Sequence, residues 1–477
     1  MKNSLLVSLF VLLLFPNFAQ EKLGISNSNY SSTNSIFLNP SSTVDSRAYM
    51  QLNLAGVNAY GMNNLVYIPG FTLARTITTG NIPDPQPANL NFKKFLMLVA
   101  SVEAPAFIIS KRNYGAGFFI RGRSVGELKK VPYQLTNLFL KLEENPTISY
   151  PFSLDLKNMR FSNMTWVEYG VNFGMMVKKR KNDLISVGGN VKYLTGINVA
   201  YGNILELKGA IQDSSIEVEK FSSKIRYNEP GWNTGRGLGV DLGFTYKKML
   251  GLIDTYYANS RQSNCKYVDY KYKIGVSLRD VGAIRFKKNT TRAEASGSGF
   301  FSTYGNRTYE EQLRLDFNSS INNNPILAAL PTALSVQFDW NFENHIYLNG
   351  TVVKNLIPSR VIGVQGSNLL SVCPRAEFKN FEVAMPLTFQ KFMYPQLGFA
   401  FRMRSLVFGV DNMFPLAIPK KTYGVGVYFN LGISLFRNPV CRKHMKRVDD
   451  CAPGTSLFKR AKKKESAPKK KKIRRKK

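Results

Sequence analysis

Histidine is nearly absent from this chain: 477 residues contain two, His345 and His444. An imidazole-based catalytic triad, or a zinc site with several imidazole ligands, therefore has almost nothing to draw on, and both histidines read as surface residues. Cysteine is scarce too. Cys265, Cys373, Cys441 and Cys451 all lie far from the N-terminus, which argues against a lipid-modified start. They permit three disulfide pairings, of which Cys441 with Cys451 is the preferred candidate. Long apolar runs are missing as well. The longest, Leu5 to Phe15, has 11 residues, and a spanning helix needs about 20. Acidic residues are in the minority, at 31 against 65 Lys and Arg.

The start of the chain accounts for its one greasy run. Lys2, the apolar stretch and then Pro16, Asn17, Phe18 and Ala19 follow the order of a secretory signal peptide. Cleavage is expected after Ala19. Export places the cysteines in an oxidising compartment and removes nucleic acid as a partner for the positive charge. Much of that charge is at the other end, where Arg437 to Lys477 carries 18 Lys and Arg against three acids. This low-complexity tail cannot form a core and is expected to be disordered. It reads either as a tether to peptidoglycan or another acidic polymer, or as a merely solvated tail. The remaining body is basic in its own right.

What the chain has in abundance is period-two alternation, which sends side chains to two faces of a strand. Val167, Tyr169, Val171, Phe173, Met175 and Val177 alternate with Glu168, Gly170, Asn172 and Gly174. Leu334, Val336, Phe338, Trp340 and Phe342 alternate with Ser335, Gln337, Asp339 and Asn341. Tyr423 to Leu435 and Tyr270 to Arg279 repeat the pattern. Alternation alone suits a soluble sandwich or a membrane barrel. Strand length favours the barrel, since these runs exceed the roughly 5 or 6 residues of soluble strands and suit a tilted crossing of hydrocarbon.

Connection lengths point the same way. Strands are expected at 49–58, 101–110, 114–124, 166–177, 184–198, 236–248, 269–280, 332–342, 345–354, 360–366, 375–385, 395–404, 405–411 and 422–436. Tight links at 111–113, 178–183, 343–344 and near 404–405 then alternate with long ones at 59–100, 125–165, 199–235 and 281–331. Outer-membrane barrels put short turns in the periplasm and long loops outside, with an even strand count. The expectation is therefore an all-β fold: one antiparallel transmembrane β-barrel of about 14 strands over 49–436. A signal peptide (1–19) and an N-terminal hatch segment (20–48) precede it and a basic periplasmic tail (437–477) follows, with both termini periplasmic.

On such a barrel the predicted inward faces carry Arg121, Arg123, Lys192, Lys247, Lys271, Lys273, Arg279, Arg402 and Arg404, with Glu168, Asp241 and Asp339. Two readings stay open: a cation-lined lumen selecting anionic solutes or holding an acidic plug, and a set of internal ion pairs closing a narrow barrel. Intramembrane charge is costly unless paired or wetted, so both require these groups to face inward. The glycine run from Gly235 to Gly243 lacks the strand-then-helix setting of a phosphate loop and reads as barrel strand. No catalytic residue, metal site or cofactor is expected, and the chain does not read as an enzyme.

Asn39, Pro40 and Ser41 ahead of the first strand resemble the hatch of the long-chain fatty-acid transporter (FadL) type of 14-stranded barrel, with Ser41 where that family has Ala. The chain also resembles a group of barrels in that broad class, found in bacteria with type IX secretion. The shared stretches include IFLNPSS at 36–42, GVNAYGMNN at 56–64, TWVEYGVNFG at 165–174, GGNVKYLTGINVAYG at 188–202, GRGLGVDLGFTY at 235–246 and YKIGVSLRDVGAIRF at 272–286. The resemblance implies an outer-membrane barrel in contact with outer-membrane lipid, with Asn39 and Pro40 as hatch residues. It implies passage of a small or amphipathic solute, or alternatively a non-transport role in an envelope complex for secretion, barrel assembly or surface attachment.

Overall fold

The computed structural model describes residues 22–69, 94–136, 152–211, 215–260, 267–302, 309–343, 345–358, 361–414 and 424–436, with a few residues between 72 and 88. The expected signal peptide, the basic tail and the Cys441–Cys451 pair lie outside the described residues. Fourteen antiparallel strands form a closed barrel. They are β1 (Met50–Asn63), β2 (Lys94–Lys111), β3 (Tyr114–Val131), β4 (Phe152–Arg180), β5 (Asp183–Ile211), β6 (Gly235–Met249) and β7 (Tyr270–Phe286). β8 (Ala333–Asn341), β9 (Ile346–Asn355) and β10 (Leu369–Glu377) follow. Then come β11 (Phe381–Ala384 and Leu387–Gln390), β12 (Tyr394–Leu397 and Phe399–Met403), β13 (Leu406–Val410) and β14 (Gly424–Leu435). Pairing of β1 with β14, from Met50 opposite Leu435 to Met62 opposite Gly424, closes the ring and leaves no free edge.

The polarity of the two faces settles which kind of β-structure this is. Along β8 the apolar Leu334, Val336 and Phe338 are 37%, 41% and 44% exposed, whereas Ser335, Gln337 and Asp339 between them are at most 3% exposed. A water-soluble sheet buries the apolar set. Here the polar set is inside and a continuous apolar belt is outside, repeated on β4 (Val171, Phe173), β6 (Leu238, Leu242) and β14 (Val425, Val427, Phe429). That is the arrangement for a hydrocarbon solvent. No helix among the described residues is long and apolar enough to cross a membrane.

Several boundaries differ from expectation, each for a local reason. The run at 361–366 is not a strand: Ile362 and the buried Val364 fold into the lumen, and its backbone pairs with β-structure at the bridge between Gly363 and Ala329. Its apolarity comes from burial inside the barrel. The tenth strand is instead 369–377, and the expected strand 375–385 straddles the β10–β11 turn. β2 begins at Lys94, seven residues before the expected start, because Phe95 to Ala100 is apolar on both faces and shows no alternation. The expected loops 199–235 and 281–331 carry strands of their own. β5 runs on past the barrel and pairs with Ser215–Asn228, which pairs with Thr290–Ser302 and that in turn with Asn318–Asn322. This projecting sheet packs Val218, Phe221, Ala293 and Ala295 against Leu313 of the helix Tyr309–Asp316 and against Phe317.

Candidate functional site

The site is the plugged lumen. From Lys22 to Ala48 the chain lies inside the barrel, and every residue but Asn29, Phe37, Ser42 and Arg47 is buried. Two single-turn helices, Leu23–Ser26 and Ser32–Ser35, lead to a 3-10 turn, Pro40–Thr43, which Asn39 caps by accepting from the Ser41 amide at 3.1 Å. The fixed φ of Pro40 suits the first position of such a turn. Asn39 also reaches the wall, donating to the Phe244 carbonyl (3.1 Å) and to Gln337 Oε1 (3.0 Å). The two expected hatch residues are thus the hatch's anchor.

The wall is recessed to receive that turn. Gly115, Gly174, Gly188 and Gly243 stand opposite one another across β3, β4, β5 and β6, forming one row of missing side chains. A Cβ at Gly188 would lie 2.7 Å from the Pro40 carbonyl oxygen, and Cβ atoms at Gly115 and Gly174 would lie 2.6 Å from Thr43 and Val44. The row continues on β7 as Ser277, whose hydroxyl donates to the Leu38 carbonyl at 2.6 Å. Close approach of backbone to backbone is what glycine in a strand permits.

Wall charges meet partners in the same space. Lys22 Nζ lies 2.7 Å from Glu103, which Arg121 approaches at 3.5 Å. Lys247 pairs with Asp45 at 2.8 Å, and the Tyr256 hydroxyl donates to the same carboxylate at 2.6 Å. Burial, with Asp45 alongside, holds the Tyr256 phenol well above its ordinary value. Arg47 contacts Asp269 at 2.6 Å and lies over the ring of Tyr30. Burial opposes its charge, yet the Tyr267 phenol and the Glu377 and Asp269 carboxylates keep the guanidinium firmly protonated. Ser28 and Asn29 donate to Glu382 (2.6 Å) and Glu377 (2.8 Å).

Beyond the hatch sits a layer of compensated charge. Lys192 bridges Asp241 (2.7 Å) and Asp280 (2.6 Å), while Arg123 bridges Asp280 and Glu168, both at 2.9 Å, with its guanidinium over Trp166. Nearer the short turns, at the level of the hatch, Arg375 binds Asp339 (2.7 Å) and Glu377 (2.6 Å), Lys273 joins Asp339 at 3.1 Å, and Arg402 pairs with Glu382 at 2.9 Å. Arg279 donates to the Phe37 carbonyl at 3.1 Å. Of the two open readings, the geometry therefore matches internal pairing over an unpaired cationic lining. Farther along the lumen an apolar layer follows, with Met164, Trp166, Leu194, Val199, Phe286 and Val364.

Two expected lumen residues are elsewhere. Lys271 is exposed at the start of β7, where a register shift between Tyr270 and Tyr272 turns it out of the inward series. Arg404 is exposed in the β12–β13 turn, with φ 55°. Sequence reasoning also missed Lys22, Asp45, Arg47, Glu103, Asp280, Arg375, Glu377 and Glu382. Glu103 and Asp280 each sit at a register shift that erases the alternation around them. Arg375 and Glu377 do alternate with outward residues, and a correctly placed tenth strand would have found them. Among the described residues no group of three or more His, Cys, Asp or Glu side chains is placed to hold a metal.

A cavity of about 50 Å³ separates the hatch turn from Lys247, Lys273 and Gln337. Another of about 60 Å³ lies above the hatch, lined by Met97, Val99, Leu369, Arg121, Arg123, Arg279 and Asp280. Each has room for a few waters, at roughly 10–15 Å³ apiece.

Residues 40–411 match the model of a family of unknown function, DUF5723. No curated protein matches the chain. Among solved structures, the translocator domain of autotransporter NalP from Neisseria meningitidis aligns at 7% identity and TM-score 0.29, covering 80% of this chain and 88% of that one. The TodX deltaS2S3 mutant monoaromatic hydrocarbon channel aligns at 6% identity and TM-score 0.30, covering 84% and 94%. CdiB from Acinetobacter baumannii aligns at 8% identity and TM-score 0.18, covering 80% and 60%. Likeness this distant carries no argument, and the barrel stands on this chain's own strand pairing.

Proposed function

The chain belongs to DUF5723, a family of unknown function, and we propose that it is an outer-membrane conduit for a small amphipathic solute, held shut by its own N-terminal segment. The carrying observation is the chemistry of the hatch–wall contact. From Ser26 to Ser46 the hatch meets the wall through many Ser, Thr and Asn hydrogen bonds, as at Asn27 with Asn349, Ser41 with Thr245 and Asn39 with Gln337, and through the apolar Ile36, Leu38 and Val44. Each such hydrogen bond is worth about 0.5–1.5 kcal/mol net because water replaces it on release. The polar share of the contact is therefore exchangeable with water, and the few apolar side chains set most of the cost of displacing the segment. The cavity above the hatch, with apolar Met97, Val99 and Leu369 beside Arg121, Arg123, Arg279 and Asp280, supports a solute with an apolar body and a polar end.

The test is uptake by liposomes holding the full chain, using a short-chain fatty acid anion, a neutral sugar and an inorganic anion. Preferential entry of the amphiphile supports the reading; background uptake of all three overturns it. A second reading, an envelope-complex subunit, is favoured by the projecting sheet with its own apolar core around Phe221 and Phe317. Gentle extraction followed by mass spectrometry decides that one, since stoichiometric envelope partners support it and a barrel that purifies alone counts against it. In either reading the short-turn rim faces the periplasm, and both termini with it.

A further inference from the structure

We propose that the short-turn rim of the barrel is a binding surface for the phosphate headgroups of anionic phospholipid in the adjoining leaflet. The inference rests on the barrel's lying in a membrane, and not on its conducting a solute.

Charge at this rim is unbalanced. Lys111 and Arg112 are exposed in the β2–β3 turn, and Lys178, Arg180 and Lys181 in the β4–β5 turn. The two turns form one surface, because the Met176 amide donates to the Asn113 carbonyl and the Arg112 amide to the Ala258 carbonyl, each at 2.8 Å. Exposed Lys271 extends the patch to β7, and exposed Lys379 and Arg404 carry it around the ring. Acids there are few, and apart from Glu343, exposed in the β8–β9 turn, they are engaged. Asp183 is held by Lys248 at 2.8 Å, Asp269 by Arg47 at 2.6 Å, and Asp254 accepts the Lys181 amide at 2.9 Å. None of the five bases in the two turns forms an ion pair among the described residues, Lys178 acting on Asp183 only at longer range.

The opposite end carries both kinds of base. On the projecting sheet Lys208, Lys220 and Lys224 pair with Glu219 (2.5 Å), Glu206 (2.7 Å) and Glu294 (2.9 Å), while Lys130, Lys287 and Lys288 are exposed without an ion pair among the described residues. Unneutralised Lys and Arg beside an anionic membrane surface are each favoured there.

What identifies the ligand as lipid is what lies next to the charge. Tyr114 (55% exposed) stacks at 6.2 Å on Phe173, and exposed Val177 follows it toward the turn, so the apolar belt ends where the bases begin. Leu250 and Leu252 in the β6–β7 link are exposed on the same side. A lysine there lays its stem on acyl chain and its ammonium on phosphate, and Arg112 and Arg180 offer the two-pronged donor geometry that phosphate accepts. A soluble polyanion would match the charge and leave the apolar neighbours unmet.

The experiment uses the full chain in neutral detergent, mixed with equal amounts of phosphatidylglycerol and phosphatidylcholine and examined by native mass spectrometry. The wild type is expected to retain phosphatidylglycerol in preference. The quadruple variant K111Q/R112Q/K178Q/K181Q is expected to fall to the phosphatidylcholine level, while K208Q/K220Q/K224Q on the other end keeps the preference. Equal retention of both lipids by the wild type, or undiminished preference in the quadruple variant, overturns the proposal. So does displacement of the lipid by millimolar inorganic phosphate, which would make free phosphate the ligand. If the quadruple variant loses its barrel circular dichroism, K111Q/R112Q and K178Q/K181Q are read separately. Liposome uptake by the wild type is measured in parallel, so a failure of lipid binding and a failure of transport are told apart.

Discussion

At the scale of single residues, the inner wall is shaped by what is absent as much as by what is present. Gly188 lies under the Pro40 carbonyl, and any side chain there must displace the hatch or the strand. Gly188→Val is expected to cost about 1–3 kcal/mol, the usual range for overpacking, and to expose the bond after Arg47 to trypsin. Gly122→Ala is the matched control, since nothing lies within 4 Å of a Cβ at that position. A hatch equally protected in both variants would remove the glycine row from the account. Charge obeys a similar logic. Arg375 holds two carboxylates, and Arg375→Met would leave Asp339 with Lys273 and the Tyr270 hydroxyl, and Glu377 with its hatch contact from Asn29. Removing one partner of a buried pair costs about 3–5 kcal/mol, and Arg375→Lys should recover only part, because an ammonium cannot reproduce the fork that puts Nη1 and Nη2 on Asp339 and Nε on Glu377. Denaturation midpoints in detergent read both. Alternation in the sequence told which side chains face inward, as at Glu168, Lys192 and Asp339. It could not tell who pairs with whom, because Asp280 and Glu103 sit where the period slips, and three partners come from the hatch.

At the scale of elements, most of the fourteen strands were legible because period two survives in any strand with unlike faces. Elements whose two faces meet the same environment were not. The segment around Ile362 and Val364 is apolar like a strand, yet it is a loop turned inward onto Met164, Trp166 and Phe286. The projecting strands after β5 read as loop because both of their faces are polar over much of their length, as at Lys220, Lys224 and Arg226. Removing residues 22–48 tests what the hatch contributes as an element. The wall would then present Glu103 without Lys22, Lys247 without Asp45 and Asp269 without Arg47. Without those partners the lumen should take up water, and the variant should become easier to unfold by urea while keeping its barrel signal. Unchanged unfolding would mean that the hatch fills the barrel without stabilising it.

At the scale of the whole molecule, the lumen is closed twice in series, by two materials. Near the short-turn rim the seal is a segment held by hydrogen bonds, ion pairs and a few apolar contacts; beyond the charged layer it is apolar, where Val364, Leu194 and Phe286 meet. These close a path in different ways, the first by filling it and the second by excluding water from a narrow apolar stretch, as hydrophobic constrictions do. They should therefore open independently. In planar bilayers the wild type is expected to be silent, the hatch-deleted chain to pass small currents, and the chain lacking both the hatch and residues 361–366 to pass larger ones. The order carries the argument. If deleting the hatch alone already gave the full current, the apolar layer would be packing and no barrier. If the double deletion were silent too, the charged layer of Lys192, Arg123 and their carboxylates would be the true closure, and the conduit reading would fall with it.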